Sequence, residues 1–170
     1  MDLKDYIREI PDFPQPGILF KDITPLLKSP PAFRYTVDRL AGHYSGRGVD
    51  AVVGIDARGF LLAAPLALRL EVPLVPVRKA GKLPFETTAV RFALEYGEDA
   101  LEMHTDALDP GQRVLIVDDL LATGGSLAAA ASLVERNGGR VAGIAVLIEL
   151  SELNGKDRLT GFDLFSLLEY

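Results

Sequence analysis

The segment from Arg113 to Ser126, RVLIVDDLLATGGS, restricts the possible folds of this chain more than any other. Val114–Val117 is a β-branched and aliphatic run, which is typical of a strand buried on both faces of a sheet. Two carboxylates, Asp118 and Asp119, end this run, and a loop of small residues, 122–126, leads from them to an alanine-rich helix. Polar residues between the carboxyl end of a buried strand and a helix N-terminus are typical of ligand sites in open α/β sheets.

Composition narrows the class of protein. The 170 residues suffice for one domain with a substantial core, and 48% of them are hydrophobic, which argues against disorder. The absence of cysteine excludes disulfides, thiolate catalysis and zinc–thiolate sites, and only two histidines argue against a polyhistidine metal site. The net charge of −6 argues against a nucleic-acid partner, which requires clustered Lys and Arg. With no secretory signal or apolar run of membrane length, we expect no membrane association and a cytoplasmic location.

Strand and helix patterns alternate along much of the chain. Ala51–Ile55 and Val72–Val77 are strand candidates, and the apolar stretch Phe60–Leu70 between them is helical. Such a unit implies two parallel strands with a right-handed crossover. Val141–Leu147 adds another buried strand, and FDLFSLL near the end is predicted to be an edge strand. We therefore predict one domain over residues 1–170, an α/β fold with an open, mainly parallel twisted sheet flanked by helices.

The N-terminal segment, residues 1–30, breaks this alternation. Leu3, Ile7 and Ile10 have helical spacing and predict a short amphipathic helix. Six prolines between residues 11 and 31 then forbid a long helix or a central strand, although apolar residues lie among them. This proline-rich part is either a structured loop over the edge of the core or a lid on a flat aromatic ligand, and spacing alone favours the loop.

Residues 78–104 also depart from the α/β pattern. The segment 78–82, RKAGK, is the densest positive stretch, and its glycine suggests a mobile loop. From Thr88 to Met103, apolar residues recur with a two-residue period across a turn at 96–99. This period predicts an antiparallel hairpin inserted into the sheet.

The small-residue loop and the acid pair, Asp118 and Asp119, together suggest a phosphorylated sugar as the ligand. A loop with two glycines and two hydroxyls can form a cup of backbone N–H groups for a phosphate, and the next helix adds its positive end. The loop is neither a P-loop nor a GxGxxG dinucleotide motif. Neighbouring carboxylates repel each other, so they more often bind hydroxyls or a metal than serve stability. A ribose 5-phosphate fits both parts.

These residues carry a family resemblance. VLIVDDLLATGGS resembles the phosphoribosyl pyrophosphate signature of type I phosphoribosyltransferases. Further matches occur in the family's order, and they are FPQPGILFKDITPLL, GIDARGF, RKAGKLP, LEYG, DALDPGQRV and FSLL. Within the family, the resemblance is greatest to members that act on adenine. It implies transfer of a phosphoribosyl group from phosphoribosyl pyrophosphate to adenine, which gives AMP and pyrophosphate in purine salvage.

The resemblance assigns phosphate and sugar contacts. The acid pair would hold the ribose hydroxyls, and the 5-phosphate would be wrapped by Ala122, Thr123, Gly124, Gly125 and Ser126, where Ser126 keeps the hydroxyl of the threonine usual in the family. Pyrophosphate would be bound by Arg58, Arg78, Lys79 and Lys82. Fixed cations suit this role, because the leaving pyrophosphate gains charge in the transition state. The Asp56–Ala57 peptide is expected to be cis.

The resemblance also assigns the base side. Adenine would stack on Phe20, with the backbone of Leu19 and Lys21 reading its edge and Leu150 near its other face. This favours the lid interpretation of the proline-rich part, so residues 1–30 become a base-binding segment. Glu95 corresponds to the family's catalytic glutamate, carried on the mobile loop and hairpin of residues 78–104. Mg²⁺ would bridge substrate oxygens with no direct protein ligand, and a homodimer is expected.

Three other functions are compatible with parts of the sequence. The nearest is a phosphoribosyltransferase for another purine, xanthine or hypoxanthine. A non-catalytic regulator could keep the same site to sense nucleotides, but a net-acidic chain of 170 residues leaves no room for an obvious nucleic-acid or partner domain. A phospho-accepting receiver domain would carry its acid pair near the start of the domain, not at residues 118 and 119, and without the small-residue loop.

Overall fold

The computed structural model describes residues 1–94 and 97–170. Its strands are β1 (Arg8–Pro11), β2 (Leu19–Asp22), β3 (Ala51–Ile55), β4 (Leu74–Lys79), β5 (Thr87–Ala93), β6 (Glu98–His104), β7 (Arg113–Leu121), β8 (Arg140–Glu149) and β9 (Leu164–Glu169). Its helices are α1 (Thr24–Lys28), α2 (Pro30–Tyr44), α3 (Arg58–Leu70) and α4 (Gly125–Arg136). Short 3₁₀ turns cover Leu3–Tyr6, Ser151–Leu153 and Gly155–Leu159. Within the described residues, no helix has both the length and the apolar character needed to cross a membrane.

The main sheet has seven strands in the order β5-β6-β4-β3-β7-β8-β9. Strands β4, β3, β7, β8 and β9 run parallel, whereas β6 is antiparallel to both β4 and β5. This confirms the predicted fold class, including the inserted hairpin and the edge position of the last strand. The chain leaves β3 for β4 on one side and β7 for β8 on the other, so the strand order reverses between β3 and β7. Ligands of open α/β sheets bind at such a reversal.

The core consists of two apolar layers, one on each face of the sheet. Val114 and Ile116 belong to the layer that contains α4, whereas Leu115 and Val117 belong to the layer that contains α2 and α3. All four side chains are fully buried. The prediction of a strand buried on both faces is therefore confirmed.

The N-terminal amphipathic helix was a wrong prediction. The backbone N–H of Ile7 donates to the carbonyl of Lys4 (3.1 Å), which closes a single 3₁₀ turn instead of an α-helix. The chain then extends into β1, whose register with β2 pairs Ile10 with Phe20. Pairing with a distant strand has overridden the helical spacing, a competition that local periodicity does not reveal. The resulting two-stranded sheet is separate from the main one.

Two predicted boundaries near the acid pair also shift. Strand β7 continues past Asp118 and Asp119 to Leu121, because β8 keeps pairing with it after β3 has ended. Strand β4 likewise includes Arg78 and Lys79, which pair with Glu102 and Leu101 of β6. These two cations therefore lie on a strand and not on the predicted loop. The predicted turn at 96–99 also shifts, because β6 already begins at Glu98. Glu95 and Tyr96 lie outside the described residues.

Candidate active site

A cleft of about 580 Å³ opens at the carboxyl ends of β3 and β7, where the strand order reverses. Nine of its lining residues are ones that the sequence singled out, namely Arg58, Lys79, Asp118, Asp119 and the small-residue loop Ala122–Ser126. The acid pair and the loop thus face one space, together with two cations.

Close packing of α3 against β7 brings Arg58 to the acid pair. Arg58 is the first residue of α3, and its Nε lies 3.1 Å from Oδ2 of Asp119. A Cβ on Gly59 would lie only 2.8 Å from Oδ1 of Asp118 and 3.0 Å from the carbonyl oxygen of Val117. Because any side chain there would push the helix away, Gly59 permits the Arg58–Asp119 ion pair. The Asp56–Ala57 peptide that precedes α3 is cis, as predicted.

The acid pair is electrostatically unfavourable in the absence of a ligand. Burial raises the pKa of Asp118 well above its ordinary value, and the adjacent charge of Asp119 raises it further. Burial also raises the pKa of Asp119, although the guanidinium of Arg58 offsets part of this. One hydrogen bond, from the Asp119 N–H to Oδ1 of Asp118 (2.9 Å), lies within the pair. Hydrogen bonds from sugar hydroxyls, or a bound cation, would stabilise the ionised form of both carboxylates.

The small-residue loop takes its shape from a segment far along the chain. Gly124 has a φ of 83°, and α4 begins directly after it at Gly125. A Cβ on Gly124 would overlap the carbonyl oxygen of Gly155, and a Cβ on Gly155 would overlap that of Ala122. The two backbones are therefore in direct contact, which only glycine allows. The loop stands at the N-terminus of a twelve-residue helix, where a phosphate is favourably bound.

Each of the four predicted pyrophosphate cations is paired with a carboxylate. Arg58 pairs with Asp119, and Lys79 pairs with Asp99 of β6 (3.6 Å). Arg78 and Lys82 both pair with Asp56, at 3.2 and 3.5 Å. Asp56 and Asp99 line the cleft, whereas Arg78 and Lys82 stand behind Asp56 and are not lining residues. An anionic ligand would compete with these carboxylates for the cations.

Asp56, which directly follows β3, is the counter-ion of Arg78 and Lys82. Burial alone would raise the pKa of Asp56, but the N–H of Lys79 and the charges of Lys82 and Arg78 outweigh it. The pKa of Asp56 consequently lies below its ordinary value, and the side chain is ionised at neutral pH.

The N-terminal segment reaches this site through one aromatic contact. The guanidinium carbon of Arg58 lies 5.0 Å from the ring centroid of Phe20, within the range of a cation–π interaction. Phe13 meets Phe20 edge to face at 5.1 Å. The predicted base-binding residues do not themselves line the cleft, and these are Leu19, Phe20, Lys21 and Leu150. Among those in the N-terminal sheet, Phe20 meets the cleft residue Arg58, and so it marks where this sheet approaches the cleft.

Lys21 and Leu150 are held by contacts of other kinds. Lys21 is buried, pairs with Glu9 and lies 3.8 Å above the ring of Tyr170. Leu150 follows β8, and its N–H donates to the carbonyl of Leu121 at the end of β7 (2.9 Å). The predicted catalytic residue, Glu95, lies outside the described part of the chain.

The cleft residues that sequence reasoning missed include Asp56, Phe92, Asp99, Leu127 and Arg158. Asp56 lies within the GIDARGF motif, so its position beside Arg58 was a usable signal. Phe92 and Asp99 belong to the hairpin, whose placement beside the loop depends on strand order. Arg158 lies in a polar stretch with no local pattern, and only its contact with the loop reveals it.

Comparisons with known proteins agree with this geometry. A family model described as a phosphoribosyl transferase domain matches residues 27–167. An adenine phosphoribosyltransferase of Roseiflexus castenholzii is 58% identical over 170 residues, which cover 100% of this chain and 99% of that relative.

Solved structures of the same kind are similar over nearly their whole length. The adenine phosphoribosyltransferase of Thermoanaerobacter pseudethanolicus superimposes with a TM-score of 0.97 at 55% identity, over 99% of this chain and 98% of that one. The Saccharomyces cerevisiae enzyme, complexed with D-2,5-dideoxy-2,5-imino-altritol 1,6-bisphosphate and adenine, gives 0.92 at 40% identity, over 98% and 96%.

Fold and cleft define a ribosyl-phosphate transferase site on an open α/β sheet. The chain belongs to the phosphoribosyl transferase family and, within it, to the adenine phosphoribosyltransferases.

Proposed function

We propose that this protein transfers the 5-phosphoribosyl group of phosphoribosyl pyrophosphate to adenine, which yields AMP and pyrophosphate. The observation that carries this proposal is the shared cleft, which is lined by the acid pair, the small-residue loop before α4 and cations that include Arg58 and Lys79. This combination suits a sugar diol, a 5-phosphate and a pyrophosphate in one molecule. The names of the full-length relatives support adenine as the acceptor.

The reaction breaks the bond between C1 of the ribose and the pyrophosphate oxygen and forms a bond from C1 to N9 of adenine. The electron pair of the broken bond leaves with pyrophosphate, and the N9 proton is released. Asp118 and Asp119 would accept hydrogen bonds from the ribose hydroxyls, while N–H groups of the loop would hold the 5-phosphate. Arg58 and Lys79, with Arg78 and Lys82 behind Asp56, would oppose the charge that grows on pyrophosphate.

The base would bind between the cleft and the N-terminal sheet. Phe20 offers an aromatic face already packed near Arg58, and β2 carries it beside the backbone groups of Leu19 and Lys21. Stacking and backbone hydrogen bonds would then orient N9 toward C1, which places the reacting atoms in a productive arrangement. The relative that is complexed with adenine supports a base subsite in this family.

A magnesium ion fits the residues present when substrate and water supply most of its ligands. Among residues 1–94 and 97–170, no group of three or more metal-ligating side chains is found. Of the acid pair, Asp119 is engaged by Arg58, so Asp118 is the freer carboxylate. Magnesium would neutralise pyrophosphate charge, and it prefers few protein ligands and several waters.

The test of the activity is pyrophosphate release with each purine base in turn. With phosphoribosyl pyrophosphate and Mg²⁺, we expect release with adenine and much slower release with hypoxanthine or xanthine. Preference for either oxopurine would transfer the assignment to the alternative purine enzyme. Binding of nucleotides without turnover of any base would favour the sensing regulator.

Glu95 is proposed as the catalytic residue that assists proton movement on the purine. We expect Glu95→Ala to lower kcat by about 10²- to 10⁴-fold, the usual contribution of a general acid or base. The KM for phosphoribosyl pyrophosphate should change little, because the group acts on the base. Glu86→Ala, which removes an exposed glutamate that precedes β5, is the control, and unchanged kcat in Glu95→Ala would contradict the role.

Two further proposals concern the protein as a whole. We infer a homodimer in a cytoplasmic location from the family resemblance. Sedimentation equilibrium at micromolar concentration would test the dimer, and a monomer mass would contradict it.

A further inference from the structure

Arg158 stands beside the small-residue loop. Its Nη1 lies 3.7 Å from where a Cβ on Gly125 would be, and its own Cβ lies 3.4 Å from the same point on Gly124. The side chain lines the cleft. The side chain of Arg158 therefore passes Gly124 with its Cβ and brings its guanidinium to Gly125, the first residue of α4.

The backbone of Arg158 is held on both sides. Gly155, at the start of the Gly155–Leu159 turn, touches the carbonyl of Ala122, and Leu159 at its end is buried in the core. Between them, Lys156 donates to the buried carboxylate of Glu149 (3.0 Å), which also accepts from the Ser166 hydroxyl (2.6 Å). The turn is thus fixed to β8, β9 and the loop at once. Arg158 is presented to the loop by a rigid support.

The charges near the cleft fall into two groups. Arg58, Lys79, Arg78 and Lys82 each face a carboxylate, and these carboxylates are Asp119 of β7, Asp99 of β6 and Asp56, which directly follows β3. Within residues 1–94 and 97–170, Arg158 has no such ion pair, and its nearest loop neighbours are uncharged glycines. Its five donors are consequently available to a ligand in the loop.

We propose that Arg158 binds the 5-phosphate held by the small-residue loop and acts as the cationic side of that phosphate subsite. The inference rests on the proposed function for the identity of the ligand. Backbone N–H groups of the loop bind some of the phosphate oxygens, and the planar guanidinium binds others with two parallel hydrogen bonds. Arg158 contributes to the affinity for every ligand that carries a 5-phosphate. It does not contribute to the affinity for free pyrophosphate.

The experiment compares binding of two probes, ribose 5-phosphate and inorganic pyrophosphate with Mg²⁺, by calorimetry on the full chain. We expect Arg158→Gln to weaken ribose 5-phosphate binding by about tenfold to a hundredfold, the range for hydrogen bonds to charged groups. Pyrophosphate binding should change less than twofold. Arg158→Lys keeps the charge without the fork and should recover part of the loss.

Arg140→Gln is the matched control. Arg140 is exposed at the amino end of β8, whereas the cleft lies at the carboxyl ends of the parallel strands. This variant therefore loses the same charge at a distance from the cleft. An equal loss in Arg140→Gln would show a general charge effect and overturn the proposal. Unchanged ribose 5-phosphate affinity in Arg158→Gln, or equal losses for both probes, would overturn it as well.

Failure of this proposal can be told apart from failure of the proposed function. Ribose 5-phosphate binding by the wild-type protein needs neither adenine nor turnover. If adenine is not converted to AMP but Arg158→Gln still weakens ribose 5-phosphate binding selectively, the subsite stands and the assigned reaction does not. If AMP forms normally and the selective loss is absent, only the role of Arg158 fails.

Discussion

At the scale of single residues, the acid pair is expected to lower the stability of the fold at neutral pH. Asp118 and Asp119 are adjacent carboxylates whose pKa values are raised by burial. A carboxyl with a raised pKa in the folded state binds protons more readily there than in the unfolded chain. Between the unfolded pKa of about 4 and the raised folded pKa, stability therefore falls as pH rises.

Asp118→Asn should stabilise the protein at neutral pH while it impairs ribose binding. The amide oxygen can still accept from the Asp119 N–H, and the repulsion within the pair disappears. We expect a rise in Tm at pH 7 of about 2 to 4 °C for each kcal/mol gained, and this gain should shrink toward pH 4. Calorimetry across this pH range measures it, with exposed Asp109→Asn as the control. A lower Tm at pH 7 would mean that the pair stabilises the fold.

Gly124 is constrained both by its backbone conformation and by its neighbour. Gly124→Ala would place a side chain at a φ of 83° and against the carbonyl of Gly155. Gly46→Ala is a matched control, because its φ is 74° but nothing lies within 4 Å of the added Cβ. We expect about 1 to 3 kcal/mol of destabilisation in the control from conformation alone, and more in Gly124→Ala, with loss of ribose 5-phosphate binding. Equal unfolding free energies would exclude the contact as a cause.

At the scale of elements, the N-terminal sheet is joined to the C-terminus by one aromatic ring. The ring of Tyr170 is within cation–π distance of two ammonium groups, Lys4 at 4.6 Å and Lys21 at 3.8 Å from its centroid. Lys4 also donates to the carbonyl of Glu169 (2.8 Å). The ring thereby steadies β2, which carries Phe20.

Tyr170→Leu should therefore weaken base binding without touching the ribosyl-phosphate contacts. Lys21 is buried, so loss of its cation–π contact should cost about 0.5 to 2 kcal/mol, and the KM for adenine should rise about two- to thirtyfold. Tyr170→Phe keeps the ring and should behave like the wild type. Steady-state kinetics with each substrate varied in turn provide the measurement. A rise in the KM for phosphoribosyl pyrophosphate instead would contradict the role.

The elements that sequence patterns predicted well are those whose surroundings are uniform. Ala51–Ile55 is buried along its whole length, so its apolar run coincides with the strand as observed. Strand β7 was cut short because its last residues are paired with β8 but face the cleft, and an acid pair inside a strand resembles a strand end. Residues brought to the site by the Gly155–Leu159 turn were not predictable, since tertiary contact places them. The family resemblance predicted the nine cleft residues whose motifs are local.

At the scale of the whole molecule, two apolar layers share a single sheet. The central strand β7 contributes to both, because alternate residues point to opposite faces. Neither layer can lose its packing without exposing a face of the same strand. The chain should consequently unfold in one cooperative step.

Leu115→Ala and Ile116→Ala test this coupling from the two faces. Both side chains are fully buried, and each truncation should cost about 2 to 5 kcal/mol of unfolding free energy. Urea unfolding followed by far- and near-ultraviolet circular dichroism should show coincident single transitions in both variants. Leu153→Ala, with a partly exposed side chain, should change stability by less than about 0.5 kcal/mol. A second transition in either core variant would mean that the layers unfold separately.

The contact between Gly124 and Gly155 bears on protein engineering. The conformation of the peptide ATGGS is not determined by its own sequence alone, because the backbone of the distant Gly155–Leu159 turn packs directly against it. If the loop sequence alone were grafted onto another parallel sheet, we would not expect it to adopt the same backbone conformation. The portable module is the loop together with the Gly155–Leu159 turn and the Glu149 anchor beneath it. Any designed scaffold that borrows this site must supply both halves.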